Sequence, residues 1–190
     1  IHNNTIDYTG IGLNSEAIDL TDVNGITVTS NIINVSNYAE GIETSVINRS
    51  NISYNNITVF GNRTGIVIFA GVSTVSVNNT LHGNNITIHS VQAAQEGIEF
   101  TRADNSNISN NRITVAAGEN DGIYLAMSMG NNISNNTIST ALLNSHGIYI
   151  DDESNNNSLT LNSIVTAGND SYGIYLDEVN HINITNNDIN

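Results

Sequence analysis

The sequence lacks several residue types, and each absence excludes a class of structure or partner. It contains no cysteine, so disulfide bonds play no part in the fold. It contains no lysine, and four arginines stand against 18 acidic residues, for a formal net charge of −14 at pH 7. That charge argues against a nucleic-acid or anionic-membrane partner, because like charges repel. Long apolar runs and a secretory signal pattern are also absent from the sequence, so we expect a soluble chain without membrane insertion.

A repeated unit dominates the sequence. Each unit begins at a small residue followed by two apolar residues that flank a third residue, as in Gly122-Ile123-Tyr124-Leu125. The units begin at Ala17, Gly41, Gly65, Gly97, Gly122, Gly147 and Gly173. Units of about 25 residues that recur along a whole chain are typical of a repeat architecture.

Apolar residues alternate at three places in each unit. With the first residue as position zero, they occupy positions one and three, then nine and eleven, then sixteen and eighteen, as Ile113 and Val115 do. Alternation with period two predicts three short strands per unit and excludes a helical solenoid. We therefore expect one all-β solenoid over residues 1–190, with about seven rungs around a continuous core.

Asparagine recurs at position fourteen and predicts a tight turn, because asparagine tolerates a left-handed backbone and its amide can bond to the next rung. The members are Asn31, Asn55, Asn79, Asn111, Asn136 and Asn187, with Asn4 fitting a partial unit and Asn162 displaced by one residue. The unit that starts at Gly65 is ambiguous, because Asn84-Asn85-Ile86 also copies Asn55-Asn56-Ile57.

On these strands and this asparagine column, the chain resembles the right-handed parallel β-helix repeat family, which includes pectate lyases, polygalacturonases, phage tailspikes and many surface proteins. The resemblance covers the whole chain and implies a single-stranded parallel β-helix, but it says little about activity. The sequence starts and stops within a unit and has no terminal caps. We expect either a segment of a longer β-helix or a subunit that associates end to end.

Position two of each unit points outward, and in β-helix enzymes this face carries the groove. The column reads Asp19, Glu43, Val67, Glu99, Tyr124, Tyr149 and Tyr175. Three tyrosines on consecutive rungs would lie about 4.8 Å apart. They are candidate carbohydrate-binding residues, because aromatic rings stack on sugars, although a structural ladder without a ligand is the alternative.

An acidic cluster follows the first strand in the last two units. Asp151 aligns with Asp177, and Asp152 aligns with Glu178. Three interpretations stay open: a solvated turn, a calcium site formed by all four residues, or a catalytic pair of Asp151 and Asp177. Paired aspartates resemble those of polygalacturonases, but the Asn-Thr-Asp, Gly-His-Gly and Arg-Ile-Lys motifs of that family are missing. Whether the chain is an enzyme therefore stays open, and calcium is the one candidate cofactor.

Asn-x-Ser/Thr motifs recur at the second strand, at Asn51, Asn107, Asn132 and Asn183. They are candidate N-glycosylation sites, which would require an extracellular location, or they form a plain polar ladder. Together these features predict an extracellular or cell-surface structural or adhesive β-helix whose partners are a glycan and further copies of itself. The alternative is a polysaccharide lyase or glycoside hydrolase that acts at the outer face of the first strand.

Overall fold

The structure, a computed structural model, describes residues 1–89, 95–116 and 118–190, with only the backbone described for residues 11–14. Its regular elements in these ranges are all β-strands. They are β1 (Thr5–Thr21), β2 (Thr27–Thr29), β3 (Ile32–Ser45), β4 (Asn51–Ser53), β5 (Asn56–Val59), β6 (Ile66–Phe69), β7 (Ser76–Val77), β8 (Thr80–His82), β9 (Asn85–Ile88), β10 (Ile98–Thr101), β11 (Ala103–Asp104), β12 (Asn107–Ser109), β13 (Arg112–Val115), β14 (Ile123–Ala126), β15 (Asn132–Ser134), β16 (Thr137–Thr140), β17 (Ile148–Asp151), β18 (Ser158–Thr160), β19 (Ser163–Thr166), β20 (Ile174–Leu176), β21 (Asn183–Thr185) and β22 (Asp188–Ile189). None of the described residues forms a helix long and apolar enough to cross a membrane.

The strands stack in parallel on three faces, which confirms the predicted parallel β-helix with three strands per unit. The first face runs β20-β17-β14-β10-β6 and continues onto β3 and β1. The second face runs β2-β4-β8-β12-β15-β18-β21, which gives seven stacked strands on this face in the described part of the chain, and β7 pairs with β11 in a separate two-stranded sheet. The third face runs from β3 through β5, β9, β13, β16 and β19 to β22. The long strands β1 and β3 pass around the corner between the third and first faces, so both faces form one sheet.

The core consists of the alternate residues of these strands. Ile123 and Leu125 of β14 are fully buried, and so are Ile98 and Phe100 of β10, the rung beside it. Burying one such side chain stabilises the fold by about 1.5–3 kcal/mol. Because the buried positions repeat in every rung, the core is a continuous column along the axis.

The glycine that starts a unit is required by close approach between rungs. A Cβ added to Gly122 would lie against Cγ2 of Ile138 and 2.5 Å from the carbonyl oxygen of Gly147. Real Cβ atoms do not approach backbone oxygens so closely, so any larger residue would push two rungs apart. The same carbonyl contact recurs at Gly41, Gly65, Gly97 and Gly147.

The asparagine ladder exists, with one correction to the predicted membership. Nδ2 of Asn111 donates to Oδ1 of Asn136 at 3.0 Å and to the carbonyl oxygen of Leu81 at 3.0 Å. The ladder runs Asn4, Asn31, Asn55, Asn84, Asn111, Asn136, Asn162, Asn187. The prediction of Asn79 at this position was wrong: Asn84 occupies it, and Oδ1 of Asn79 accepts from the backbone N–H of Ser50 in a separate ladder.

The left-handed residue of the turn also differs from the prediction. It precedes the ladder asparagine, as at Asn110 (φ 56°) and Asn135 (φ 55°). The extra length of the unit at Gly65 explains the wrong register. From the start of β6 to the start of β7 is ten residues, against five from β10 to β11. The loop therefore lies before β7, and both Asn79 and Asn84 keep places in ladders.

Candidate functional site

The predicted outward column forms on the first face. Pairing joins Asp19 to Glu43, Glu99 to Tyr124, and Tyr149 to both Tyr124 and Tyr175. Each of these residues lies between positions one and three of its unit, which are buried in the rungs up to Tyr149 and partly exposed at Ile174 and Leu176 in the last rung, so its side chain faces outward. Position two is thus placed as the sequence indicated.

A second outward column, which sequence reasoning missed, runs beside the first. It is made of the residue directly before the small residue of each unit: Glu16, Glu40, Thr64, Glu96, Asp121, His146 and Tyr172. Three of its side chains, those of Thr64, Asp121 and His146, accept a hydrogen bond from the backbone of the following rung. Oδ1 of Asp121 accepts from the N–H of His146 at 2.6 Å, and Nδ1 of His146 accepts from the N–H of Tyr172 at 3.1 Å. The two columns lie side by side along the first face, and we call the surface that they form, with its two cavities, the first-face groove.

The end of the groove on the last three rungs is aromatic. The rings of Tyr124 and Tyr149 are 5.2 Å apart, and those of Tyr149 and Tyr175 are 4.9 Å apart, both tilted. The ring of His146 lies 4.8 Å from Tyr175 and stacks at 5.3 Å on Tyr172. The structure therefore brings the three predicted tyrosines together and adds two rings from the second column. We call these five residues the aromatic end.

Polar atoms at the aromatic end have defined roles. The hydroxyl of Tyr149 donates to Oδ2 of Asp151 at 2.9 Å. Because Nδ1 of His146 accepts a hydrogen bond, the neutral ring carries its proton on Nε2. Burial lowers the pKa of His146, which favours this neutral form at pH 7.

The middle of the groove holds two buried carboxyl groups on neighbouring rungs, Glu96 and Asp121. Burial raises the pKa of Glu96 to about 8, with further contributions from the charges of Glu99 and Asp121. Burial also raises the pKa of Asp121 to about 7, against the hydrogen bond from His146. Both carboxyls line a cavity of about 320 Å³ together with Tyr124, His146 and Tyr149. A proton donor and acceptor thus stand beside the aromatic end at neutral pH.

The opposite end is acidic, and we call Glu16, Glu40 and Glu43 the carboxylate cluster. One oxygen from each side chain lies within 4.8 Å of the other two. Burial raises the pKa of Glu43 to about 7, with added repulsion from Glu40 and Glu16. Arg63 contacts Glu40, its Nη1 lying 3.3 Å from Oε1. A cavity of about 360 Å³ opens beside the cluster, lined by Glu40, Glu43, Arg63 and Glu99 among others.

The acidic residues predicted at the end of the first strand are arranged differently. Asp151 is engaged locally, because Oδ1 accepts from the N–H of Asp152 at 2.7 Å and Oδ2 accepts from Tyr149. Asp152, Asp177 and Glu178 are exposed, and Asp152 and Glu178 border a depression of about 230 Å³. Within the described ranges, the convergent group of acidic side chains is the carboxylate cluster rather than this one. Calcium binding and catalysis at these four residues stay predictions.

The four sequon asparagines begin strands of the second face. Asn132 and Asn183 are exposed, while Asn51 and Asn107 are partly buried. Nδ2 of Asn132 donates to Oδ1 of Asn107 at 3.0 Å. Asn107 and Asn132 therefore form one step of a polar ladder, and glycosylation of the four asparagines stays a prediction.

Fold and groove define the class as a parallel β-helix with two open cavities, of about 360 and 320 Å³, on one outer face. The family described as periplasmic copper-binding protein (NosD) matches residues 89–190, more than half of the chain, and the chain therefore belongs to that family. Among solved structures, the surface protein and adhesin PfbA of Streptococcus pneumoniae is similar at 11% sequence identity, with a TM-score of 0.37. That similarity covers 90% of this chain and 68% of the other. Comparison with curated proteins gave no significant match.

Proposed function

We propose that this chain is an extracytoplasmic β-helix that binds a glycan through the aromatic end of the first-face groove. The observation that carries the proposal is the row of tyrosines on consecutive rungs, with ring centres 5.2 and 4.9 Å apart. Such a row offers ring faces to successive sugars and hydroxyls to their polar edges. The periplasmic location in the family's name supports a role at the cell envelope. A surface structural or adhesive role follows from that location and from glycan binding.

The charges of the groove indicate which glycans fit. The net charge of −14 and the acidic residues along the groove disfavour an anionic polysaccharide. Carboxyls with raised pKa values, at Glu96 and Asp121, can donate as well as accept hydrogen bonds near pH 7. Neutral sugars, rich in hydroxyl groups, match such a surface. We therefore propose a neutral glycan as the ligand.

Copper, which the family's name mentions, does not suit the side chains that converge in this chain. Protein copper sites use imidazole, thiolate or thioether ligands. The chain has no cysteine. Two histidines already use one ring nitrogen each: Nδ1 of His82 is hydrogen-bonded to Oγ of Ser109, and Nδ1 of His146 accepts from the backbone N–H of Tyr172. Across the residues that the structure describes, the convergent group consists of carboxylates alone. The proposed function therefore includes no copper step.

The test is binding of soluble neutral polysaccharides, hydroxyethylcellulose and a galactomannan, by affinity electrophoresis, with anionic alginate for comparison. We expect Tyr149→Ala to weaken binding about tenfold or more, a loss of roughly 1.4 kcal/mol. The matched control is Tyr54→Ala, because Tyr54 is 61% exposed and lies outside the groove. Equal binding by both variants, or preference for alginate, would contradict the proposal.

A second candidate, glycoside hydrolysis, is favoured by the carboxyl pair of Glu96 and Asp121. Adjacent rungs are about 4.8 Å apart, near the separation of about 5–5.5 Å used by retaining hydrolases. Glu96 would give its proton to the glycosidic oxygen as the bond between that oxygen and the anomeric carbon breaks, so that one sugar leaves as an alcohol while the carboxylate of Asp121 bonds to the anomeric carbon. Water would then attack the anomeric carbon, its hydroxyl replacing the carboxylate of Asp121 and its other proton returning to Glu96.

Release of reducing ends from the same neutral polysaccharides tests the hydrolase candidate. Glu96→Gln and Asp121→Asn should each abolish the release while binding in the electrophoresis assay persists. Absence of any release by the unmodified protein on substrates that it binds would leave a binding protein only.

A further inference from the structure

We propose that the carboxylate cluster, Glu16, Glu40 and Glu43, binds a calcium ion at the acidic end of the groove. One oxygen from each residue lies within 4.8 Å of the other two. Calcium holds its oxygen ligands at about 2.3–2.6 Å, so two ligands of one ion lie no more than about 5 Å apart. The three oxygens therefore satisfy the geometric limit for a common ion.

An independent observation comes from Glu40. Its side chain is only 9% exposed, and Oε1 is taken by Arg63 at 3.3 Å. Oε2 is buried and has no hydrogen-bond partner. A buried carboxylate oxygen without a partner is costly, and the contacts with Arg63 do not relieve that cost. A cation held between the three carboxylates supplies the missing partner.

Charge balance points to a divalent ion. Three ionised carboxylates carry −3 and the guanidinium of Arg63 carries +1, and the acidic groups of Glu99 and Asp19 lie nearby, so a charge of at least −2 remains for a divalent cation to neutralise. Oxygen ligands alone select hard cations, and calcium tolerates the irregular, partly hydrated geometry of such a site better than magnesium does. The adjoining cavity of about 360 Å³ leaves room for water to complete the coordination.

The site holds two neighbouring rungs together. Glu16 lies just before the first-face part of β1, while Glu40 and Glu43 lie on β3, and the two strands pair in parallel with Glu16 opposite Glu40. An ion at this point therefore bridges successive turns of the helix and should stabilise the folded chain. The site is separate from Asp151, Asp152, Asp177 and Glu178, and it does not depend on glycan binding.

The test uses the full chain freed of metal with a chelator, then titrated with CaCl₂ in a calorimeter and melted with and without about 5 mM CaCl₂. We expect one ion per chain and a higher melting temperature with calcium. Glu40→Gln should remove both effects, and Asp177→Asn, at the acidic cluster predicted from sequence, should retain both. A circular dichroism spectrum would show that each variant is folded.

Glu43→Gln provides a second variant at a partly exposed position, in case Glu40→Gln does not fold. It should weaken calcium binding at least about tenfold. Three results would overturn the proposal: no calcium binding, binding that both glutamate variants retain, or binding that Asp177→Asn abolishes.

Discussion

The stability of the fold depends on the protonation of individual carboxyl groups in the groove. Glu96 accepts a hydrogen bond from Oγ1 of Thr64 at 3.2 Å, yet burial and its acidic neighbours raise its pKa from 4.5 to about 8. Between pH 4.5 and about pH 8, the folded chain consequently holds a proton on Glu96 that the unfolded chain has already released. The contribution of this proton to stability is complete below pH 4.5 and is lost as the pH rises toward 8.

We expect the free energy of unfolding to fall between pH 5 and pH 8.5, as measured by urea denaturation. Each unit of difference between folded and unfolded pKa values is worth about 1.4 kcal/mol, so Glu96 can account for a few kcal/mol. Glu96→Gln, which cannot ionise, should flatten much of this dependence. Glu153→Gln, at an exposed glutamate, is the control and should keep the slope. A Glu96→Gln protein with an unchanged pH slope would show that other groups dominate.

At the scale of the strand and turn, the asparagine ladder satisfies backbone groups that no strand pairing reaches. Oδ1 of Asn111 accepts from both the N–H and Nδ2 of Asn84, and Nδ2 of Asn111 donates to the carbonyl oxygen of Leu81. Asn111 is 1% exposed, so water cannot replace these bonds. The ladder is thus part of the hydrogen bonding of the core.

Asn111→Ala should therefore destabilise the protein by about 2–5 kcal/mol, because each buried group left without a partner costs about 1–3 kcal/mol. Urea denaturation measures the loss, and Asn169→Ala, at an exposed asparagine, is the control. A change of less than about 0.5 kcal/mol in Asn111→Ala, the size typical of surface sites, would contradict this role.

The start of each unit gives a second prediction at this scale. Gly122→Ala places a methyl group 2.5 Å from the carbonyl oxygen of Gly147, which forces the rungs apart. We expect a loss of about 1–3 kcal/mol or more, as for other overpacked sites. Gly71→Ala is the matched control, because its added Cβ meets only Oγ1 of Thr74 at 3.6 Å. Equal melting temperatures for the two variants would rule out close packing as the reason for the glycine.

The strands and the outward tyrosines were predictable because each rung repeats the same alternation, as at Ile123, Tyr124 and Leu125. The place of Asn79 outside the main asparagine ladder was not predictable, because the added loop lies before β7 and both Asn79 and Asn84 precede an apolar strand. Sequence alone allows either register, and only the stacking of neighbouring rungs decides between them.

The second column was missed for a chemical reason. Glu40, Glu96, Asp121 and His146 all precede the glycine of their unit, but they share no single residue type, so no repeat of identity marks them. The available signal was that this position is polar or aromatic in every unit. The pKa of Glu96 could not be predicted either, because it depends first on burial and then on the charges of Glu99 in the same rung and of Asp121 in the next.

Over the whole molecule, the stacking of rungs places the two outward residues of each unit beside their counterparts in the next unit, so the chemical character of the surface changes along the axis. The groove passes from carboxylates at Glu16, Glu40 and Glu43, through Glu96 and Asp121, to the rings of the last rungs. Calcium binding and glycan binding are proposed at opposite ends of the first-face groove. The repetitive core lets both sites vary without a change of fold.

The concentration of negative charge on this face should make stability depend on salt. With a net charge of −14, the folded chain is destabilised by self-repulsion that salt screens. The Debye length falls from about 30 Å at 0.01 M to about 8 Å at 0.15 M, so most of the effect should lie below about 0.2 M. We expect NaCl to raise the melting temperature by several degrees over this range. The measurement is made with chelator at about pH 8.5, above the pKa values of Glu43, Glu96 and Asp121.

A double variant, Glu16→Gln with Glu99→Gln, removes two groove charges and should show a smaller rise. A flat melting temperature below about 0.2 M, or an equal rise in the double variant, would show that the groove charges do not oppose folding.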